Sequence, residues 1–541
     1  MSKVLLRLLP MLVLPIAVAA MAPATAADGP RLLLAGGALP VCSNDNPAAC
    51  LPGKSPGPAS LGQRHRLDPD GIARVAAGAW SQGRERERRR IVAALKRWHR
   101  RAGDLDFDVG DLSPALAASA SLRDREVWAA LAGFERDLVL DALENRIVTE
   151  RVALEDSRAE SGAAVYREFF AMAREISGRQ RPRILVSTAS GRDPFAAIDF
   201  YLEVFAQAGA AVRWLPLDHA LRAAQDDPQR LCLQLDRLRG ERLGADDRAR
   251  LYPQRAAELQ AACLAPQQLT EALDWADGVF LNGGDQSFTR AAWFDADGRT
   301  PSAPLQLLLQ RLERGTLVIG GTSAGTAVQA GRPDGGAAAM IVSGPALPEG
   351  AAVALRRLPP DPDCRRAGSC GGVNPDALMY QPDGGLGSFP LGVLDTHFSN
   401  RGREYRLARL LQDSNVEFGL GIDETTALRL DWIEGQWQGR VIGQGAVSVL
   451  RRIDDQRISR QRFPGGSAWI LPGAMPAGAC RVPAAPAVSV AADTAALSQF
   501  IDGLTRARAV PLTLVDGHRS VAAGQLCAAD DGAGQIWELP R

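Results

Sequence analysis

Thr316-Leu-Val-Ile-Gly-Gly-Thr-Ser323-Ala-Gly325 is the stretch on which the fold turns. Thr316 to Gly320 is a short apolar run with strand character, and Ser323 to Gln329 reads as the start of a helix, leaving room between them for only a tight turn. Gly321-Thr-Ser-Ala-Gly325 fits Gly-x-Ser-x-Gly, in which a sharp strand-to-helix turn lifts a serine hydroxyl above a sheet and small neighbours let the backbone pass closely. The Ala324 amide, at the start of the helix, can donate to an oxyanion. Glycine-rich turns of this kind also bind phosphates, with Ser323 as a cap or phosphate contact. Such loops carry a lysine, and none follows here.

Outward from this turn, strands and helices alternate. Arg31-Leu-Leu-Leu-Ala-Gly-Gly37 and Arg183-Ile-Leu-Val-Ser-Thr188 read as buried strands, Asp193 to Gly209 as an amphipathic helix, and Val212 to Leu217 as a strand. Asp277 to Leu281 is a strand running into Asn282-Gly283-Gly284, and Ser302 to Arg314 a helix. This alternation predicts an α/β fold, a three-layer sandwich with a mostly parallel sheet between helices, with the site where loops leave the carboxyl ends of the strands. Residues from about 55 to 178 read as a helical insertion, in which Val127, Leu131, Phe134 and Leu138 recur at helical spacing and Arg84 to Arg101 is a strongly basic helix with a solvated face. After Ser388 the chain turns strand-rich, in Gly392 to Phe398, Phe418 to Leu430 and Arg440 to Leu450; beyond about 465 it is rich in Ala, Gly and Pro. The expected organisation is therefore a leader at 1–27, a main domain at 28–465 carrying the insertion, and an extension at 466–541.

Lys3 and Arg7, the apolar stretch Leu8 to Ala22 and the small residues Ala24-Thr25-Ala26 read as an export signal. The mature protein is expected to begin near Ala27 or Asp28 and to stand free of the membrane, in the periplasm or outside the cell. The 541 residues include 46% hydrophobic types, enough for a large core, and the 62 basic and 62 acidic residues balance. That balance argues against a nucleic-acid partner. The eight cysteines all follow the leader. An even number in an exported chain predicts disulfides, with sequence order favouring Cys42–Cys50, Cys232–Cys263, Cys364–Cys370 and Cys480–Cys527. There is no Cys-x-x-Cys pair for zinc. Asp104, Asp106 and Asp108 alternate like a calcium loop, but Val109 stands where the glycine is needed and Ala115 where the glutamate is, so no metal is expected.

A nucleophilic serine needs a base. Of the histidines, only His397 and His518 follow Ser323. His397, in Asp395-Thr396-His397-Phe398, sits at the end of an apolar strand, where sites form. In Gly419-Leu-Gly-Ile-Asp423-Glu424-Thr-Thr-Ala427 two carboxylates end another apolar run. They point to opposite faces if extended, and periodicity does not choose between them as the acid that orients the base. A hairpin turn is the structural alternative. Arg401, Arg403 and Arg406 form a cationic cluster suited to carboxylates. Gly283-Gly284-Asp285-Gln286 is the other glycine turn; its amides can complete an oxyanion hole, and Gln286 can hold a substrate amide.

Taken together, residues 33–38, 283–286, 321–325, 395–406 and 421–427 resemble the cyanophycinase-like serine peptidases, relatives of aspartyl dipeptidases, in the family's order over most of residues 31–455. The resemblance implies a fold like class I glutamine amidotransferases (flavodoxin-like), often dimeric, with Ser323 as nucleophile, His397 as base and Glu424 as orienting acid. It also implies Gln286, Asp395, Arg401, Arg403 and Arg406 as substrate contacts; the oxyanion amides expected from the two glycine turns are those of Gly284 and Ala324. Members hydrolyse β-aspartyl-arginine links in cyanophycin, a polymer of aspartate bearing arginine side chains. Thr396 departs from the family's Gln, and Thr326 from its Ala. The expected reaction is acyl transfer without metal or cofactor. Two other readings stand beside it: an α/β-hydrolase-type esterase using Ser323, Asp423 and His518, and a non-catalytic binding protein on the same fold.

Overall fold

The computed structural model describes residues 29–57, 64–107, 112, 127–145, 149–331, 338–343, 346–355, 374, 377–472, 488–491, 496–503, 510–516, 519–528 and 535–538. The expected export signal, Asp108, Cys364, Cys370, Cys480, the Cys527 side chain and His518 lie outside the described residues.

Five strands run parallel: β1 (Arg31–Ala35), β2 (Arg183–Ser187), β3 (Ala211–Trp214), β4 (Gly278–Leu281) and β5 (Val318–Thr322). Their spatial order is β1-β5-β4-β2-β3. Successive residues face opposite sides of a strand, and here both sides are covered. Leu33, Ile184, Phe280 and Val318 pack beneath helix α1 (Glu160–Ser177). Leu32, Leu34, Leu185, Val279 and Ile319 pack on the other side, with Leu305, Leu308 and Leu312 of the helix Ala303–Glu313. Burial on both faces is why β1, β2, β4 and β5 read as apolar runs rather than as alternation, whereas the edge strand β3 exposes Arg213. The chain is thus mixed α/β with a mostly parallel central sheet.

Phe169 of α1 lies directly under the Gly320 backbone, its ring 5.2 Å from that of Phe280. A Cβ at residue 320 would come within 2.6 Å of the Phe169 ring, so glycine is what admits the aromatic there. Because α1 forms part of this layer, the separately packed part of the insertion ends before Glu160. It comprises the helices Pro69–Ala77, Glu85–Ala102 and Gly133–Leu143 with a small sheet of Arg64–Leu67, Leu105–Phe107 and Glu144–Asn145. Its own core holds Leu67, Ile72, Ile91, Leu95 and Trp98. Within it Arg66 pairs with both Asp104 and Asp106.

The strand-rich half is shared between the central sheet and a second sheet. The strands in chain order are β6 (Val393–Thr396), β7 (Phe418–Ile422), β8 (Thr426–Ile433), β9 (Gln436–Gly443), β10 (Ala446–Arg452), β11 (Arg457–Pro464) and β12 (Ala468–Leu471), followed by β13 (Val488–Ala491), β14 (Val510–Asp516), β15 (Arg519–Ala528) and β16 (Gln535–Glu538). β8, β9 and β12 extend the central sheet antiparallel from β1. The others form the order β6-β7-β10-β11-β16-β15-β14-β13. The strand-rich stretch 418–430 is therefore two strands in different sheets, divided at Asp423-Glu424-Thr425. Thr425 takes φ 55°, a left-handed conformation that breaks the extended run. Beyond 465, where the sequence is loosely patterned, the described segments supply strands to both sheets.

Disulfides join Cys42 to Cys50 and Cys232 to Cys263. No helix among the described residues is long and apolar enough to cross a membrane.

Candidate active site

At the end of β5 the chain turns through Ser323 into the single helical turn α2 (Ala324–Ala327), shorter than the helix the sequence predicts. Ser323 takes φ 52° and ψ −117°, a strained conformation for a residue with a side chain. Neighbouring backbone holds it there. The Ser323 amide donates to Ala35 O at 3.0 Å, and Ser323 O accepts from the amides of Thr326 and Ala327, each at 2.9 Å. Thr326 Oγ1 donates to Ala35 O at 2.7 Å and lies 2.8 Å from Gly321 O, so this departure from the family's alanine ties the turn to β1. A Cβ on Gly321 would meet Gly325 O at 2.2 Å, and one on Gly325 would meet Leu281 O at 2.2 Å. Both obstacles are backbone and have little room to give. Gly325→Ala is expected to destabilise the chain by about 3 kcal/mol or more, seen as a lowered thermal unfolding midpoint; an unchanged midpoint would show that the turn is not packed this tightly.

β6 delivers His397, and the corner between β7 and β8 delivers Glu424. Ser323 Oγ lies 2.8 Å from His397 Nε2, and His397 Nδ1 lies 2.6 Å from Glu424 Oε1. Residues 323, 397 and 424 thus form one hydrogen-bonded chain. The Gly36-Gly37 turn after β1 holds its members together: His397 N–H donates to Gly36 O at 2.8 Å and Thr425 N–H to Gly37 O at 3.0 Å. Gly37, at φ 108°, lies against the imidazole, and a Cβ there would come within 2.5 Å of the ring. Asn400, which sequence reading passed over, accepts the Glu424 amide proton on Oδ1 at 2.8 Å. Its place three residues after the histidine is the only signal that could have flagged it.

Asp423 is occupied elsewhere. Its Oδ1 accepts from the Ser399 amide, and its Oδ2 from the Ala446 amide and the Arg462 guanidinium. It is buried and braces the second sheet, whereas Glu424 turns to the histidine.

Burial pushes the His397 imidazole below its ordinary pKa; Glu424 pulls it back up, and Arg401 and Arg403 push it further down. The ring is therefore neutral at pH 7, the state a base requires. Activity dependent on His397 is expected to rise with pH through an apparent pKa below the ordinary histidine value of about 6.5 and to be flat by neutrality. Measurement of kcat/KM from pH 4 to 8 checks this. An acid limb centred above 7 would contradict it.

Gly284, Gln286, Ser323, Ala324, Thr396, His397 and the arginines 401, 403 and 406 line one cavity of about 210 Å³. Neither the Gly284 nor the Ala324 amide donates to another group among the described residues. The three arginines are not equivalent. Arg406 binds Asp395 through two contacts, Nε to Oδ2 at 2.7 Å and Nη2 to Oδ1 at 2.5 Å. Burial opposes ionisation of Asp395, yet the Arg406 guanidinium, with Arg403 and the Thr396 amide, holds the carboxyl below its ordinary range. Arg403 donates to Thr396 O at 2.6 Å and lies 3.5 Å from Asp395; burial lowers its pKa to about 10, against the pull of Asp395, and it stays charged. Arg401 is half exposed at the mouth, 3.7 Å from Glu424. Gln286 Nε2 donates to Ile341 O and Val342 O, which leaves its carbonyl oxygen as the group it can offer a ligand.

No family model matches the chain. Curated proteins do. It is 29% identical over 186 residues to a cyanophycinase of Trichormus variabilis, covering 34% of this chain and 48% of that protein. It is 30% identical over 184 residues to one of Geminocystis herdmanii, covering 34% and 50%, and 27% identical over 184 residues to one of Synechococcus elongatus, covering 34% and 44%. The chain thus spans about half the length of the curated relatives it matches. Over that third of its own length, the chain is cyanophycinase-like.

Proposed function

We propose that this chain is a serine peptidase that hydrolyses peptide or isopeptide bonds, with β-aspartyl links such as those of cyanophycin as its substrate class. The observation that carries the reading is the continuous hydrogen-bonded chain from Ser323 through His397 to Glu424, set on a strained turn beside a small, arginine-lined cavity. Ser323 Oγ attacks the carbonyl carbon while His397 Nε2 takes its proton. The oxyanion is held by the Gly284 and Ala324 amides. The C–N bond breaks as His397 returns the proton to the leaving amine. Water then attacks the acyl-enzyme, gives a proton to His397 and releases the acid, and His397 reprotonates Ser323. Glu424 keeps the imidazole in the tautomer with its free nitrogen toward Ser323 and stabilises the imidazolium.

Arg401 and Arg403 are the cations available to a substrate carboxylate, while Arg406 and Asp395 hold one another and brace that wall. The architecture is consistent with a three-layer, class I glutamine amidotransferase-like core at 28–465. The two disulfides accord with export. A homodimer remains part of the proposal. Incubation with cyanophycin and a panel of β-aspartyl and α-linked peptides, followed by mass analysis of the products, tests the substrate. Cleavage of β-aspartyl links is expected, and cleavage of α-linked peptides alone would overturn the assignment.

A further inference from the structure

The Gly284 amide is held from outside the central sheet. A Cβ on Gly284 would lie 2.2 Å from Ser190 O, so the loop after β4 and the loop after β2 touch backbone to backbone. Asp285 N–H donates to Ser190 O at 2.8 Å, Ser190 N–H to Asn282 Oδ1 at 3.1 Å, and Ser190 Oγ lies 2.8 Å from Thr289 Oγ1. Where residues 188–193 sit therefore sets where Gly284 sits. The far end of that loop is tied to the insertion. Arg192 grips Asp141 of the helix Gly133–Leu143 with two parallel bonds of 2.8 Å and donates to Gly244 O at 2.6 Å. The next residue, Asp193, accepts from the fully buried Arg248 at 3.0 Å, and Arg248 also reaches Glu144 at the end of the same helix. Buried ion pairs are poor stabilisers compared with apolar packing. A bidentate arginine–carboxylate pair does, however, fix position closely.

We infer that the insertion is a clamp on the oxyanion side of the site, with Asp141 and Arg192 as positioning residues that hold the 188–193 loop and, through Ser190, the Gly284 amide beside Ser323. This rests on Ser323 acting as the nucleophile. The test uses the full chain and an alkyl fluorophosphonate. In that reaction the Ser323 Oγ–P bond forms, fluoride leaves, the serine proton passes to His397, and the charge building on the phosphoryl oxygen calls on the same amides.

The second-order labelling rate is measured for wild type, Asp141→Asn, Asp141→Ala and Arg192→Lys. The His397 titration is followed by NMR and folding by thermal unfolding. Asp141→Ala is expected to slow labelling about ten-fold or more, on the scale of a weakened oxyanion donor, with smaller losses in the two conservative variants. The His397 titration should be unchanged, since its contact with Glu424 is untouched. Labelling within about two-fold of wild type in folded variants would overturn the inference, as would slower labelling accompanied by an altered His397 titration. If Asp141→Ala fails to fold, the two conservative variants decide by the same criteria. A wild-type chain that is not labelled would instead overturn the nucleophile assignment, and the clamp with it.

Discussion

Ser323→Ala is expected to lower kcat on peptide or isopeptide substrates by a factor on the order of 10⁵–10⁶, with the fold intact and KM little changed. Removing the hydroxyl removes the atom proposed to form the acyl-enzyme. The Gly284 and Ala324 amides proposed to hold the oxyanion remain, as does the cavity, so residual rate over water should persist. The alanine also relieves little strain, because φ 52° at residue 323 is imposed by the Ala35 and Thr326 contacts rather than by the hydroxyl. Thermal unfolding should accordingly be near wild type. His397→Ala is expected to cost about as much, since nucleophile and base act as one unit and their losses do not add. Steady-state kinetics of both single variants and the double variant read this directly. A double variant much slower than either single variant would show that the two residues act independently.

Glu424→Gln is expected to reduce kcat on the order of 10³–10⁴-fold. The amide is isosteric, but presented with its NH₂ it favours the wrong imidazole tautomer. Glu424 also raises the His397 pKa against the effect of burial, so its loss should move the acid limb of the pH profile lower still. This direction separates catalytic from structural loss: a variant that merely loosened the site would expose the imidazole and return the limb toward the ordinary value. Asp423→Asn provides the contrast. Asp423 is spent on two backbone amides and Arg462, so its loss should lower stability and leave the acid limb in place.

The turn at Ser323 was legible because its constraints are local. A strand ending in Gly-Gly, a serine and another glycine leave few geometries, and a Cβ at 321 or 325 would strike backbone. The parallel strands were legible because burial on both faces leaves unbroken apolar runs. The choice between Asp423 and Glu424 was not. Extended alternation does not decide it, because the pair lies between strands, in a corner between two sheets where Thr425 takes φ 55°, and that corner sets which carboxylate meets the histidine. The run 418–430 conceals that corner because its residues are apolar on both sides of it. Asp395 and Arg406 read as substrate contacts through the family resemblance. Their mutual bidentate pairing is a tertiary contact eleven residues apart that no local pattern reveals. Near the far end of the region that reads as an insertion, α1 is amphipathic like the helices before it, and only the packing of Tyr166 and Phe169 against the sheet, a tertiary contact, sets it apart from them.

Ser323, activated by His397, is the proposed nucleophile. Treating the full chain with an alkyl fluorophosphonate and mapping the adduct by peptide mass spectrometry tests it most directly. A single adduct on Ser323 is expected, present in wild type and lost in Ser323→Ala and His397→Ala. An adduct on another residue, or full hydrolytic activity retained by Ser323→Ala, would contradict it.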